Sequence, residues 1–240
     1  MKDCMNFVDK TVMITGASKG IGAVAAKAFA ANGANVAMLA RSENELISLQ
    51  NQIENQGRHA IGIRCDVTSE TEVIDSIEKI ESKYGKIDIL VNNAAVFIGG
   101  NIEDYSIEDW RYSLSVILDG TFLCSKYVLP GMRERAYGKI INIASSAIYH
   151  PFKSYGGYAT AKAGLIGFTN TLNEEVKEYN INVNTIILGL TNTDEVKKRT
   201  TIPEEKMLQP SDVANVIMML SSKTGSGFKG AALELYGNYK

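Results

Sequence analysis

The sequence is poor in the residues that build disulfide frameworks and metal sites. It has three cysteines, Cys4, Cys65 and Cys124, which are too scattered along the chain for a disulfide framework or a metal cluster. Its two histidines, His59 and His150, are too few for a histidine-based metal site. We therefore expect a protein without a bound metal that works in a reducing compartment, the cytoplasm.

Strong charge and long apolar runs are missing as well. The formal net charge is −2 and no basic block occurs, so nothing suggests a nucleic-acid partner. No run of about 18 apolar residues exists, and the first residues lack the apolar segment of a signal peptide. We expect neither a membrane span nor a signal peptide.

What the sequence does have is a regular alternation of short apolar runs with helical patterns. The predicted strands are Thr11–Thr15, Asn35–Ala40, Ala60–Cys65, Ile87–Asn92, Lys139–Ala144, Val183–Ile187 and Ala231–Leu235. The predicted helices are Gly22–Asn32, Glu43–Asn55, Glu70–Tyr84, Ile107–Met132 as one helix or a pair, Tyr158–Glu178 and Gln209–Leu220. Apolar strands separated by helices predict an α/β fold, a doubly wound parallel sheet with helices on both faces. No linker rich in proline or serine divides the chain, so we expect one domain.

A glycine-rich loop joins the first predicted strand to the first predicted helix. The segment Thr15–Gly22 reads TGASKGIG, so its glycines have the spacing GxxxGxG. Glycines let backbone amides approach a pyrophosphate at the positive end of a helix. The alternative is an ordinary glycine-rich turn, but a loop between a strand and a helix favours dinucleotide binding.

The end of the second predicted strand indicates which dinucleotide binds. An acidic residue there would bind both ribose hydroxyls of NAD, but this chain has Arg41 instead. A guanidinium pairs with a phosphate in a fork geometry, and Lys19 in the glycine loop adds a second positive charge. Each residue alone could be a solvated surface cation. Together they favour NADP(H) over NAD(H).

Tyr158 and Lys162 lie four residues apart in a predicted helix, so both side chains lie on one face of it. A nearby ammonium favours the phenolate and lowers the pKa of a tyrosine, which fits it for proton transfer. Alone, such a pair is more commonly a surface contact. The nucleotide-binding pattern at the other end of the chain makes the catalytic interpretation the stronger one.

The chain resembles the short-chain dehydrogenase/reductases, and in particular members like 3-oxoacyl-[acyl-carrier-protein] reductase, because it has the motifs of that family in the same order along the chain. The resemblance rests on five motifs over nearly the whole length: TGASKGIG, CDV at 65–67, NNAA at 92–95, NIAS at 142–145 and YATAK at 158–162. It implies a Rossmann-like single domain over 1–240. Its cofactor half would span about 1–140, and its catalytic and substrate half about 141–240.

The resemblance also implies roles for particular residues. Ser145 would hydrogen-bond the substrate oxygen, Tyr158 would be the general acid and base, and Lys162 would lower the pKa of Tyr158 and hold the nicotinamide ribose. The full set implied to bind the cofactor is Gly16, Ser18, Lys19, Gly20, Ile21, Gly22, Arg41, Asp66, Val67, Asn93, Tyr158, Lys162, Thr191 and Thr193. The expected reaction is reduction of a ketone or aldehyde to an alcohol.

One departure from the family pattern bears on activity. Ile117 stands where the family usually has an asparagine that helps to hold a water in a proton relay. An isoleucine side chain neither donates nor accepts a hydrogen bond. Two interpretations stay open: an active enzyme, which the intact Ser145, Tyr158 and Lys162 favour, or an NADP(H)-binding protein with weak or no catalysis.

The expected substrate is a small carbonyl or alcohol compound, reached past a short polar lid at 193–209. Side chains near the predicted site, such as Phe97, Phe152 and Tyr155, suggest an apolar one.

An acyl carrier protein is an alternative partner. Ala136 and Tyr179 stand where the related reductases offer arginines, but the nearby basic residues Arg133, Arg135 and Lys177 could substitute for them. The resemblance implies a homotetramer or homodimer, although the apolar helices that would form it are also what a core needs.

Overall fold

A computed structural model describes residues 5–238 and builds them around a parallel sheet of seven strands in the order β3-β2-β1-β4-β5-β6-β7. The strands are β1 Thr11–Thr15, β2 Asn35–Ala40, β3 His59–Arg64, β4 Ile89–Asn92, β5 Gly138–Ser145, β6 Ile181–Leu188 and β7 Ala232–Leu235. The helices are α1 Gly20–Ala31, α2 Glu43–Glu54, α3 Glu70–Tyr84, α4 Ile107–Leu114, α5 Gly120–Glu134, α6 Gly156–Val176, α7 Asp194–Lys197 and α8 Pro210–Ser221. The predicted α/β fold, a Rossmann-like doubly wound sheet, is confirmed.

The sheet is apolar on both faces because its strands are covered by helices on both sides. Along β1, Val12 and Ile14 point into one core cluster, whereas Met13 between them points into the other. This alternation is the period of two expected of a strand. Helices α1, α2 and α8 cover the first face, and α3, α5 and α6 cover the second.

The predicted long helix at Ile107–Met132 is a pair, α4 and α5, joined by a π-helical turn at Ser115–Asp119. In this turn the N–H of Gly120 bonds to the carbonyl of Ser115, five residues back. Such turns insert one extra residue into a helix and are frequent at functional sites. Ile117, the residue at the usual asparagine position, lies inside it.

The lid at 193–209 is more ordered than its polar sequence suggests. Thr193 caps the short helix α7 by accepting a hydrogen bond from the N–H of Val196, and a 3₁₀ turn follows at Glu204–Lys206. Thr191 also forms a bridge with Leu208, which ties the two ends of the lid together.

The order of the strands reverses between β1 and β4, and this places a crevice at the carboxyl ends of the two strands. Ligands of open α/β sheets bind at such switch points. Within 5–238 no helix is long and apolar enough to cross a membrane, and no cluster of His, Cys, Asp and Glu residues could hold a metal. Cys65 and Cys124 are buried free thiols, and Cys4 lies outside the described residues.

Candidate active site

Two adjoining cavities lie at the carboxyl ends of the strands. The first, of about 350 Å³, is lined by the glycine loop and by residues after β2, β3 and β4; we call it the glycine-loop cleft. The second, of about 200 Å³, is lined by Ser145, Tyr158 and Lys162; we call it the tyrosine cavity. The lining residues common to both are Ile21, Asn93, Ala95 and Thr193. A ligand that fills the cleft can therefore extend to the tyrosine.

The backbone of the glycine loop adopts conformations and close contacts that residues with a Cβ atom rarely allow. Gly16 and Gly20 have φ values of +62° and +57°, in the left-handed region that favours glycine. A Cβ on Gly22 would lie 2.5 Å from the carbonyl oxygen of Gly16. Helix α1 begins here, and Lys19 at its N-cap position makes no side-chain capping bond. The first N–H groups of α1 thus fit the pyrophosphate of a dinucleotide.

The glycine loop is tied to the end of β4 by Thr15 and Asn93. The side-chain amide of Asn93 donates to the carbonyl oxygens of Thr15 and Gly16 at 3.0 and 3.1 Å. The hydroxyl of Thr15 accepts from the N–H groups of Asn93 and Ala94, both at 3.0 Å. Asn93 therefore shapes the cleft mainly by holding the loop in place.

Arg41 and Lys19 both line the cleft, and each already has a protein partner. The guanidinium of Arg41 donates to the hydroxyl of Tyr112 on α4, which the sequence patterns did not single out. Lys19 forms an ion pair of 3.0 Å with Glu195 on α7. The hydrogen bond to Tyr112 keeps Arg41 beside the cleft. Lys19 is largely exposed, and its ammonium pairs with a carboxylate of the lid.

The remaining predicted cofactor residues lie in or beside the cleft. Asp66 and Val67 line it after β3; the carboxylate of Asp66 accepts bonds from the N–H and hydroxyl of Thr68 at 3.0 and 2.8 Å. Ser18 lines it too, whereas Gly22 packs behind the loop rather than facing the cleft. Thr191 is buried and lines the tyrosine cavity.

Ser145, Tyr158 and Lys162 meet in the tyrosine cavity from two elements. Ser145 ends β5, and the other two lie one turn apart in α6. The side chain of Ser145 acts on the hydroxyl of Tyr158, whose pKa it lowers. Ser145 also accepts a bond from the N–H of Ala147 at 3.2 Å, so it serves the loop as well. The structure thus brings the three predicted catalytic residues together.

The surroundings of Tyr158 act on its pKa in opposing directions. Burial raises the pKa of Tyr158 above its ordinary value of 10.0, and the hydrogen bond from Ser145 and the charge of Arg199 oppose this rise. The side chain of Lys162 lies close to the Tyr158 ring. Its ammonium nitrogen lies 5.7 Å from the centre of the Tyr158 ring and donates to the carbonyl of Ile143 at 2.5 Å.

Lys162 is itself strongly affected by its surroundings. Its side chain is buried, and this burial lowers its pKa from 10.5 to about 7. A charged ammonium is costly away from water, so neutral Lys162 becomes accessible near neutral pH.

Replacing Lys162 with methionine is expected to stabilise the protein without cofactor, most strongly at low pH. Below about pH 7 Lys162 is charged in the folded protein, and burying this charge destabilises the fold. Between about pH 7 and 10.5 Lys162 loses its proton on folding, so this destabilisation becomes smaller as the pH rises. We expect Lys162→Met to raise the free energy of unfolding by roughly 2 to 4 kcal/mol at pH 6 and by little above pH 10.5. Urea unfolding at several pH values measures this, with Lys79→Met, at an exposed position of α3, as the control. Equal stability of the two variants at pH 6 would contradict it.

Ile117 lies against the catalytic helix. It is fully buried and forms a small apolar cluster with Ala161 and Leu165, against which Tyr158 packs. A side chain in this place supports the position of Tyr158 by packing. It supplies no hydrogen bond to a water.

An aromatic wall closes the tyrosine cavity on the side away from the cleft. We define it as Phe97, Phe152 and Tyr155; the ring of Tyr155 lies 4.4 Å from Phe97 and 5.4 Å from Phe152. The guanidinium of Arg199, at the end of the lid helix, lies 4.2 Å from the centre of the Phe97 ring and lines the same cavity. Sequence reasoning treated Arg199 as one polar lid residue among several. No spacing pattern in the sequence connects Arg199 with Tyr158, because only the fold brings Arg199 into the same cavity.

The chain is similar to known proteins over most of its length. The model of the family described as short chain dehydrogenase matches residues 10–203. The chain is 34% identical to 2,3-dihydro-2,3-dihydroxybenzoate dehydrogenase of Bacillus subtilis over 89% of each chain. It is also 34% identical to trans-4-hydroxycyclohexanecarboxylate dehydrogenase of Sinomonas cyclohexanicum, over 95% of this chain and 92% of that one.

A solved structure agrees as closely. The crystal structure of 3-oxoacyl-[acyl-carrier protein] reductase from Brucella melitensis superposes with a TM-score of 0.91 at 27% identity, covering 98% of this chain and 93% of that one. The glycine-loop cleft, the tyrosine cavity and the sheet order thus occur together with a family match over most of the length. The chain belongs to the short-chain dehydrogenase/reductase family of oxidoreductases.

Proposed function

We propose that this protein is an NADP(H)-dependent oxidoreductase that reduces a ketone or aldehyde to an alcohol, with Tyr158 as general acid and base. The observation that carries this proposal is the position of Ser145, Tyr158 and Lys162 in one cavity that opens into the glycine-loop cleft. The names of the relatives support the reaction type, because all three are dehydrogenases or reductases. Their named compounds differ, so they do not identify one substrate.

The residues present divide the work as follows. When bound, NADPH supplies a hydride to the carbonyl carbon, so that carbonyl, hydride and proton give an alcohol and NADP⁺. Tyr158 donates the proton to the carbonyl oxygen, and Ser145 holds that oxygen by a hydrogen bond. The raised pKa keeps Tyr158 protonated at neutral pH, as an acid must be.

Lys162 would return a proton to Tyr158 after each reaction. A pKa of about 7 lets it take and give a proton at neutral pH. One of its hydrogen bonds goes to Ile143, which leaves donors for the ribose of the nicotinamide. The apolar side chain of Ile117 next to Tyr158 offers no hydrogen bond to a water in this region.

The preference for NADP(H) rests on Arg41. It lines the cleft at the end of β2, where no acidic side chain competes for the ribose, and Tyr112 holds it there. Lys19 adds positive charge on the other side, weakened by Glu195. A 2′-phosphate would meet the guanidinium fork with favourable charge.

The test is consumption of NADPH by purified protein with a panel of ketones, aldehydes and 3-oxoacyl thioesters, and NADH in parallel. Oxidation of NADPH with one class of carbonyl compound supports the proposal. The acyl-carrier-protein alternative predicts that thioesters are the best class. Ala136 and Tyr179 themselves offer no positive charge to such an acidic partner, but the guanidinium of Arg133 lies 5.1 Å from the Tyr179 ring. Oxidation of NADH in preference to NADPH would contradict the assignment of the cofactor.

A second candidate, a protein that binds NADP(H) without turning it over, is motivated by Ile117. Replacing Ile117 with asparagine separates the two. We expect Ile117→Asn to lower the free energy of unfolding by about 1 to 3 kcal/mol, because it buries an amide among apolar side chains, and to leave kcat no higher than that of the unmodified protein. Steady-state kinetics and urea unfolding measure both. Turnover that is absent from the unmodified protein and present in Ile117→Asn, but not in the apolar control Ile117→Val, would favour the second candidate.

A further inference from the structure

Arg199 is the feature of the tyrosine cavity for which the proposed reaction gives no reason. It follows the lid helix α7, and its guanidinium carbon lies 4.2 Å from the centre of the Phe97 ring. The Phe97 ring in turn lies 5.8 Å from the ring of Tyr158. The guanidinium is therefore no farther than the sum of these distances, about 10 Å, from the ring that carries the reacting hydroxyl. Its positive charge reaches that hydroxyl, since it acts to lower the pKa of Tyr158.

Within the described part of the chain, the side chains that line the cavity carry positive charge and no negative charge; the nearest carboxylate to Arg199, that of Glu195, lies outside the lining and forms an ion pair of 3.6 Å with it. Among the described residues that line the cavity, two are cationic, Lys162 and Arg199, and none is acidic. Lys162 is partly neutral near pH 7 and is bonded to Ile143. Arg199 keeps its charge at any pH in which the protein is folded, so it is the lasting cation of the cavity.

Arg199 also has donors to spare. A guanidinium has five N–H donors, and its nearest acidic partner, Glu195, lies 3.6 Å away, beyond hydrogen-bonding distance. Glu195 also forms ion pairs with Lys19 at 3.0 Å and with Lys198 at 3.2 Å, so its carboxylate interacts with three cations and neutralises Arg199 only in part. The contact with Phe97 positions the guanidinium by a cation–π interaction and uses none of its donors.

We propose that Arg199 binds a carboxylate of the substrate, so that the enzyme acts on compact oxo acids and hydroxy acids whose apolar body lies along the aromatic wall. This deepens the proposed function and rests on it. The small cavity, about 200 Å³ before a nicotinamide occupies part of it, suits a compact compound. A carboxylate fits the guanidinium fork, whereas a neutral ester or amide would leave the charge without a partner.

The first test measures binding and needs no turnover. Isothermal titration calorimetry compares benzoate with benzamide, which have the same ring and differ in charge, in the presence of saturating NADP⁺. We expect benzoate to bind about tenfold more tightly than benzamide, a modest preference because Arg199 is partly exposed. In Arg199→Met, which keeps an apolar stem against Phe97, the preference should vanish. It should persist in Lys198→Met, which makes the same change of charge at the next residue outside the cavity.

The second test uses turnover. Pyruvate, acetoacetate and levulinate place the ketone and the carboxylate at increasing separation, and each is compared with its methyl ester. We expect at least one acid to exceed its ester in kcat/KM by about tenfold or more, with the advantage lost in Arg199→Met and largely kept in Lys198→Met. A preference for acids that survives in Arg199→Met, or no preference for benzoate over benzamide, would overturn the proposal.

The two proposals fail separately. If NADPH is oxidised only with neutral ketones and benzamide binds as well as benzoate, the reductase assignment stands and the role of Arg199 is wrong. If benzoate binding depends on Arg199 but no carbonyl compound is reduced, the carboxylate site stands and the proposed reaction is wrong.

Discussion

Replacing Tyr158 with phenylalanine is expected to lower kcat by roughly 100- to 10,000-fold, the range that a general acid contributes. The substitution removes the hydroxyl that donates the proton and whose pKa the side chain of Ser145 lowers. It keeps the ring, which packs against Ile117 and Phe97. The fold and the glycine-loop cleft should therefore be unchanged. We expect the Kd for NADPH, measured by fluorescence titration, to change by less than about threefold.

The matched control is Tyr155→Phe. Tyr155 lies in the same cavity, with its ring 6.0 Å from that of Tyr158, but the residue four positions after it is Ala159 rather than a lysine. We expect this variant to retain most of kcat, because the proton donor is still present. Substantial turnover in Tyr158→Phe together with its loss in Tyr155→Phe would show that the wrong tyrosine had been assigned.

Replacing Arg41 with aspartate is expected to reverse the preference between NADPH and NADH. The carboxylate would repel a 2′-phosphate and accept hydrogen bonds from the two ribose hydroxyls. A hydrogen bond to a charged group contributes about 1.5 to 3 kcal/mol, so we expect NADPH to bind at least 100-fold more weakly when the repulsion is added. Binding of NADH should weaken little or improve. Titration of both cofactors measures the change without any substrate.

Two further variants identify the cause. Tyr112→Phe removes the hydroxyl that accepts a bond from Arg41, so it should weaken NADPH binding by a few-fold and leave NADH unaffected. Arg58→Asp makes the same change of net charge at an exposed position before β3, at the other end of the sheet. An equal loss of NADPH affinity in Arg58→Asp would point to the overall charge. An unchanged preference in Arg41→Asp would show that Arg41 does not contact the phosphate.

The parts of the fold that follow from local patterns could be predicted. Strand β1 is apolar on both faces because it lies in the middle of the sheet, and its run TVMIT shows this directly. The sheet order follows from the crossover rules once strands and helices alternate. Strand β4 begins at Ile89 rather than at the predicted Ile87, and just before it the buried carboxylate of Asp88 accepts a hydrogen bond from the N–H of Thr11.

The π-helical turn at Ser115–Asp119 could not be predicted, because it depends on one backbone bond and not on composition. The environment of Lys162 could not be predicted either. Spacing alone places Lys162 on the same helical face as Tyr158, and this holds, but its low pKa is a consequence of its burial, which the spacing does not reveal.

The candidate site, too, has residues that local sequence patterns could place and residues that only the fold brings to it. Residues within one motif, such as Tyr158 and Lys162, could be placed together because their chemistry and helical spacing coincide. Arg41 could be placed at the cleft from its position at the end of a strand. Tyr112 and Arg199 were missed, since each reaches the site from a distant part of the chain.

The most direct test of the central claim follows the hydrogen atoms. NADPH carrying deuterium at the transferable position is incubated with the enzyme and its best carbonyl substrate, and the alcohol is analysed by mass spectrometry. The account predicts that the deuterium appears on the carbinol carbon with the unmodified protein and that hardly any labelled alcohol forms with Tyr158→Phe. Alcohol formed without deuterium, or labelled alcohol formed at an undiminished rate by Tyr158→Phe, would contradict it.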